Sequence, residues 1–191
     1  MEFKFQKRRG IGNVITTLII LIASVVLGAG VIFFGGSMFQ TNTQNEAIQV
    51  SNVQAWYKDN AGTADGQLAF VVKNVGGKVV SINSISLRGT QVPVSQWYYN
   101  NTQSIMTVGN TQTPLLYDSD GTLTSVTFGN PSSAKTLTLA TGPVSLAQGE
   151  SAIFYVANPA SITATDIGVT YTLNVQAGAA SAVQSVSVVS G

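Results

Sequence analysis

The chain is predicted to be an α+β protein, with one long N-terminal hydrophobic α-helix followed by an all-β domain. Three observations predict this. From Ile11 to Phe34 there are 24 residues without a charge, and the next charged residue is Glu46. Beyond that point Val, Thr, Ser and aromatic residues gather into short runs separated by Gly, Asn and Asp, which is the composition of strands and turns. No segment of this second part repeats apolar residues at helical spacing. The chain is expected to divide into a basic leader at 1–10, a hydrophobic helix with a polar extension at 11–45, and a β domain at 46–191.

At about 1.5 Å rise per residue the uncharged run forms a helix of roughly 36 Å, enough to cross a hydrocarbon core of about 30 Å. Apolar residues occupy every face, with Asn13, Thr16, Thr17 and Ser24 as the polar interruptions. A helix apolar all round is satisfied by lipid or by a protein core. Ala23, Ser24, Gly28 and Gly30 are small positions where helix backbones could approach closely, although glycine is also simply frequent in membrane helices. Gly35-Gly36 is expected to weaken the helix and allow a bend. The polar stretch Ser37 to Val50 reads as either a continued helix or a linker. Lys7, Arg8 and Arg9 hold the N-terminal side in the cytoplasm, so everything after Phe34 is expected outside.

QLAFVVKN (Gln67 to Asn74) ends at Gly76-Gly77, which predicts a hairpin into KVVSINSISLRG (Lys78 to Gly89). In that second run the alternation slips between Ile82 and Ile85, as at a β-bulge. TLTSVTFG, AKTLTLA and SAIFYVAN are further candidates. GVTYTLNVQ alternates cleanly and is joined by Gly178-Ala179-Ala180 to a last strand, Ala182 to Ser190. Seven or more short strands without an amphipathic helix predict a β-sandwich of immunoglobulin-like type, with a closed barrel as the competitor. Long exposed loops are expected around Asn100 to Leu116 and Asn158 to Asp166.

Composition excludes much chemistry. The 191 residues contain neither His nor Cys. There is then no disulfide framework, thiolate nucleophile or zinc-thiolate site, and the commonest neutral-pH base is missing. The acidic residues Glu46, Asp59, Asp65, Asp118, Asp120, Glu150 and Asp166 lie in turn-like contexts, so no enzyme and no cofactor are expected. Basic residues beyond the leader are scattered, leaving no nucleic-acid footprint. Asp118 and Asp120 before Gly121 have the spacing that opens a calcium loop, but no later acidic ligand follows, and a tight turn explains Asp-Gly as well. Asn100-Asn101-Thr102 is an N-glycosylation sequon, making Asn100 a candidate acceptor. Beside it, Trp97, Tyr98 and Tyr99 read either as packed rings or as a contact patch.

The junction KRRGIG directly before an uninterrupted apolar helix resembles the class III signal peptide of archaeal type IV pilins and archaellins, the archaeal flagellins. The apolar run exceeds the roughly 7–15 residues of an ordinary secretory signal, and its best small-residue site, Gly28-Ala29-Gly30, interrupts the run instead of ending it. The resemblance covers about residues 7–40. It implies that Lys7, Arg8, Arg9 and Gly10 are recognised by a prepilin peptidase, and that Ile11 becomes the new N-terminus. The leader holds four basic residues against one acidic, so its removal changes a formal +1 to −2. The resemblance further implies a structural subunit that waits in the cytoplasmic membrane and is then polymerised with copies of itself by a type IV pilus or archaellum machinery. The product is an extracellular filament serving adhesion or motility. Bacterial relatives often carry Glu at the fifth mature position, where this chain has Ile15. Two rival expectations stay open: a single-pass membrane-anchored β-sandwich acting as a binding or accessory module, and a secreted β domain cut near Gly30.

Overall fold

A computed structural model describes residues 6–43, 45–60, 63–101, 125–127 and 134–191. It comprises two compact units, Met1–Thr43 and Gln44–Gly191. The first is a single helix, α1, Gln6–Thr43. It continues unbroken through Gly35-Gly36, so the expected weak point does not interrupt it, and the polar extension is helical as far as Thr43.

The second unit is built from strands. In chain order they are β1 (Ile48–Asn60), β2 (Thr63–Asn74), β3 (Val80–Leu87), β4 (Thr90–Gln91), β5 (Trp97–Asn100) and β6 (Ser125–Thr127). There follow β7 (Ala134–Thr136), β8 (Thr138–Leu139), β9 (Val144–Leu146), β10 (Ser151–Ala157), β11 (Thr170–Ala177) and β12 (Ala180–Ser190). Among the described residues ten of these form one mixed sheet in the order β4-β3-β11-β12-β1-β2-β10-β5-β8, with β9 also on β3. β6 and β7 pair separately. Among the described residues every pairing is antiparallel except that of β1 with β12.

The sheet curls into a half-barrel around its main core. Ile82, Ile85 and Leu87 of β3 and Leu173 and Val175 of β11 share one cluster with Leu68, Phe70 and Val72 of β2 and Phe154 and Val156 of β10. These strands are separated in the sheet by β12 and β1, so only a curled sheet brings them together. Phe70 and Phe154 stack at 5.6 Å between ring centroids, an aromatic pair stabilising beyond its buried area. A smaller cluster, including Trp56, Ala69, Val71, Ile153 and Tyr155, lies on the opposite face of the β1-β2-β10 region. Both faces of β2 and β10 are therefore covered, which is why their sequences are nearly continuous apolar runs.

The described strands form a single curled sheet where the sequence pattern predicts two stacked ones. The reason is β12. Its first part pairs with β11 from Ala180 to Ser187, and its last residues, Val188 to Ser190, pair with β1. One eleven-residue strand thus joins both halves.

The hairpin expected at Gly76-Gly77 is not formed: β2 pairs with β1 and β10, while β3 pairs with β11, β9 and β4. The glycines serve a crossover between the halves. A Cβ at Gly76 would lie 2.6 Å from the Ala47 nitrogen and collide with the Asn45 carbonyl. That close approach lets the amides of Val75 and Gly76 donate to the Ala47 carbonyl, and that of Gly77 to the Asn45 carbonyl. Buried Asn74 completes the crossover, its Nδ2 donating to the carbonyls of Lys78, Leu146 and Ala147. The bulge between Ile82 and Ile85 is present: Gln176 faces Ser84 and Ala177 faces Ile82, leaving Asn83 as the extra residue. The hairpin between β11 and β12 is also present, with Gly178 at φ 58° in a two-residue turn.

Candidate functional site

The feature with no structural satisfaction inside its own unit is α1. Its 38 residues reach about 57 Å. Within Ile11–Phe39 an 18-residue window reaches a mean hydropathy of 2.7 and none of that window is buried, so the segment has the length and composition of a membrane span or signal segment. Among the described residues seventeen large apolar side chains stand exposed along it, from 53% at Ile15 and Ile22 to 84% at Phe33. Burying each would contribute about 1.5–3 kcal/mol, so tens of kcal/mol await an apolar surrounding.

Three of the polar interruptions, the hydroxyls of Thr16, Thr17 and Ser24, are paired along the helix itself. Thr16 Oγ1 donates to the Gly12 carbonyl at 2.8 Å, Thr17 Oγ1 lies 2.9 Å from the Val14 carbonyl, and Ser24 Oγ donates to the Ile20 carbonyl at 2.7 Å. Each hydroxyl is satisfied on its own helix and can enter an apolar medium without an orphaned donor.

The small positions fall on two faces. Ser24 and Gly28 are one turn apart, and Ala23 and Gly30 are seven residues apart, also on a common face. At about 100° per residue the two pairs point in different directions. A Cβ added at Gly28 or Gly30 would meet nothing within 4 Å. Within their own unit Gly28 and Gly30 make no close contact.

Lys7, Arg8, Arg9, Gly10 and Ile11 all lie within α1, so the Gly10–Ile11 peptide bond is in its second turn. Ile11 is exposed. Asn100 ends β5, and its Nδ2, the atom that would carry a sugar, donates to the Thr136 carbonyl at 2.6 Å. Thr102 of the sequon, Asp118 and Asp120 lie outside the described residues. Among the described residues no group of three acidic side chains is placed to hold a metal.

The neighbouring aromatic residues are packed. Trp97 is fully buried with Nε1 donating to the Val92 carbonyl, Tyr99 stacks on Phe154, and Tyr98 packs on the smaller cluster. This agrees with the packing alternative.

One polar cluster escaped the sequence reading. Asp166, in a 3-10 turn at Ala164–Asp166, is buried, and its carboxylate accepts from the Thr163 amide and hydroxyl, both at 2.6 Å, and from the Tyr171 hydroxyl. Arg88 donates to the Tyr171 oxygen at 3.1 Å, lies over its ring, and stands 3.7 Å from Asp166. Hydrogen bonds from Thr163 and Tyr171 hold the Asp166 carboxyl below its ordinary value against the opposing effect of burial. The bond to Asp166, then burial, pushes the Tyr171 hydroxyl up. The Thr163-x-x-Asp166 spacing of a capping box was the available signal. With its oxygens engaged by these donors, Asp166 locks the loop between β10 and β11 onto β11 and β3.

A second unforeseen contact is that of Glu46, whose Oε2 accepts from the Ala179 amide at 2.7 Å. It ties the start of the β domain to the β11–β12 hairpin. Comparison with protein-family models and with curated proteins found no match.

Proposed function

We propose that the protein is a structural subunit of an archaeal type IV pilus-like surface filament, an archaellum or an adhesive pilus. The observation that carries the reading is that α1 exposes apolar side chains on every face and satisfies its own hydroxyls, while the β domain encloses its own core. Such a helix is at home in lipid as a precursor and among copies of itself in a fibre, where burial from water supplies the driving force. Head-to-tail contacts that do not close produce an open fibre from one subunit type.

In this reading a prepilin peptidase recognises Lys7, Arg8, Arg9 and Gly10 and releases Ile11 as the new terminus, and the pilus or archaellum machinery adds the processed chain to the fibre. The β domain forms the outer surface. Its facing halves, β1-β2-β10-β5 and β3-β11-β12, are taken as the layers of an immunoglobulin-like sandwich linked by β12. The test is Gly10→Val in the native host. Unprocessed precursor held in the membrane and cells without fibres are expected; fibres made from the variant would sink the proposal.

A further inference from the structure

Resting on the reading of α1 as the membrane segment of the precursor, we propose that the crossover loop at 73–79 docks the β domain on the bilayer surface. Val75 and Val79 enter the interfacial zone, and Lys73 and Lys78 meet lipid phosphates. The loop is tied to the first residues of the β domain, the amides of Val75 and Gly76 donating to the Ala47 carbonyl and that of Gly77 to the Asn45 carbonyl at 2.9 Å. Asn45 follows Thr43, the last residue of α1, by two positions. Chain connectivity therefore limits how far the loop stands from the membrane, whatever the orientation of the domain. Phe39 closes the apolar segment Ile11–Phe39. Four helical residues rise about 6 Å and two further links span at most about 7 Å, so Asn45 lies within about 13 Å of Phe39. With Phe39 at the edge of the hydrocarbon, the loop lies in or just above a headgroup zone about 5–7 Å deep.

The side chains suit that place. Val75 is 51% and Val79 64% exposed, and Lys73 and Lys78 are exposed beside them. Single exposed valines are common, but these two flank a tight Gly-Gly-Lys turn at the end nearest the membrane segment. Among the described residues neither ammonium has an acidic partner. The acidic groups at this end are engaged with main chain: Glu46 Oε2 accepts from the Ala179 amide and Glu150 Oε2 from the Ala147 amide, both at 2.7 Å, and both residues are half-buried.

The loop is also held in shape. Buried Asn74 accepts from the Gly76 amide at 3.0 Å through Oδ1 and donates to the Lys78 carbonyl at 2.7 Å through Nδ2. A preformed loop loses little freedom on docking. The covalent tether to α1 raises its effective concentration at the bilayer, so a weak and reversible contact suffices. Each lysine strengthens docking on an anionic surface about fivefold.

The chain has no Cys, so a dye can be attached at one chosen position. Full-length precursor is labelled at Gln148→Cys, next to the Ala147 carbonyl that Asn74 holds, or at Ala160→Cys, beyond the far end of β10. It is reconstituted in vesicles of phosphatidylcholine alone or mixed with phosphatidylglycerol, each with a trace of lipid carrying a headgroup quencher. Quenching is expected at 148 and not at 160, and is expected to rise with phosphatidylglycerol. Lys73→Gln with Lys78→Gln is expected to lower the docking equilibrium about 25-fold in the anionic vesicles and little in the neutral ones, while Val75→Ser with Val79→Ser lowers it in both. Quenching at 148 no greater than at 160, or unchanged by the lysine substitutions in anionic vesicles, would overturn the docking and leave the filament proposal standing, because the precursor is uncleaved. Precursor that carbonate extracts from the vesicles would overturn both.

Discussion

The helix and the β domain use apolar residues in opposite ways. In α1 the large apolar side chains are turned outward on all faces, and in β2 and β10 equally apolar runs are buried on both faces of a sheet. Both segments are nearly continuous apolar sequence. The difference is that each strand has neighbours on both sides in its own unit, whereas the helix finds no apolar partner within its own unit. The same sequence character therefore stabilises the fold in one region and calls for an external environment in the other.

Substitutions can break that contrast in either region. The largest effect is expected from Phe154→Ala, which empties a fully buried aromatic site stacked between Phe70 and Tyr99. A loss of about 3–5 kcal/mol is expected in denaturant unfolding of the β domain, with membrane integration of α1 unchanged. In the helix, Leu21→Arg places a charge near the middle of the exposed apolar segment. It is expected to cost about 2.5–3.5 kcal/mol of insertion, read as a fall in the carbonate-resistant fraction, with the melting of the β domain unaffected.

A smaller effect lies at the Asp166 lock. Its carboxyl is depressed in the folded state, so its contribution is present above the unfolded value of 3.8 and is lost as pH falls through the folded value. The melting temperature of the wild type is expected to drop more between pH 6 and pH 2.5 than that of Asp166→Asn, which starts a few degrees lower. Equal pH dependence in the two proteins would remove Asp166 from the account. The smallest effect is expected for Glu46→Ala, below about 1 kcal/mol, because its bond to the Ala179 amide is solvent-exposed.

Much of this contrast is legible in the residues. An uncharged run of 24 positions fixes a helix of membrane length whatever surrounds it, because helical hydrogen bonds are local. The alternation of Tyr171, Leu173 and Val175 and the slip between Ile82 and Ile85 are likewise local, and both are found in place. Pairing between distant strands is not local. Gly76-Gly77 has hairpin composition, yet its neighbours find partners far along the chain, and only the collision a Cβ would make with Asn45 reveals the requirement for glycine. β1 is obscured for a related reason: Asn52 at φ 52° and a register shift between Ser51 and Gln54 break its alternation. The Asp166 cluster joins Arg88 to residues more than seventy positions later, with only the short Thr163-x-x-Asp166 spacing as a trace.

The central claim is that α1 is a processed assembly element and not a permanent anchor. Its most direct test is the N-terminal residue of the protein taken from the surface of its native host. Chains beginning at Ile11 are predicted; chains that retain Lys7, Arg8 and Arg9, or that begin near Val31, would contradict the claim.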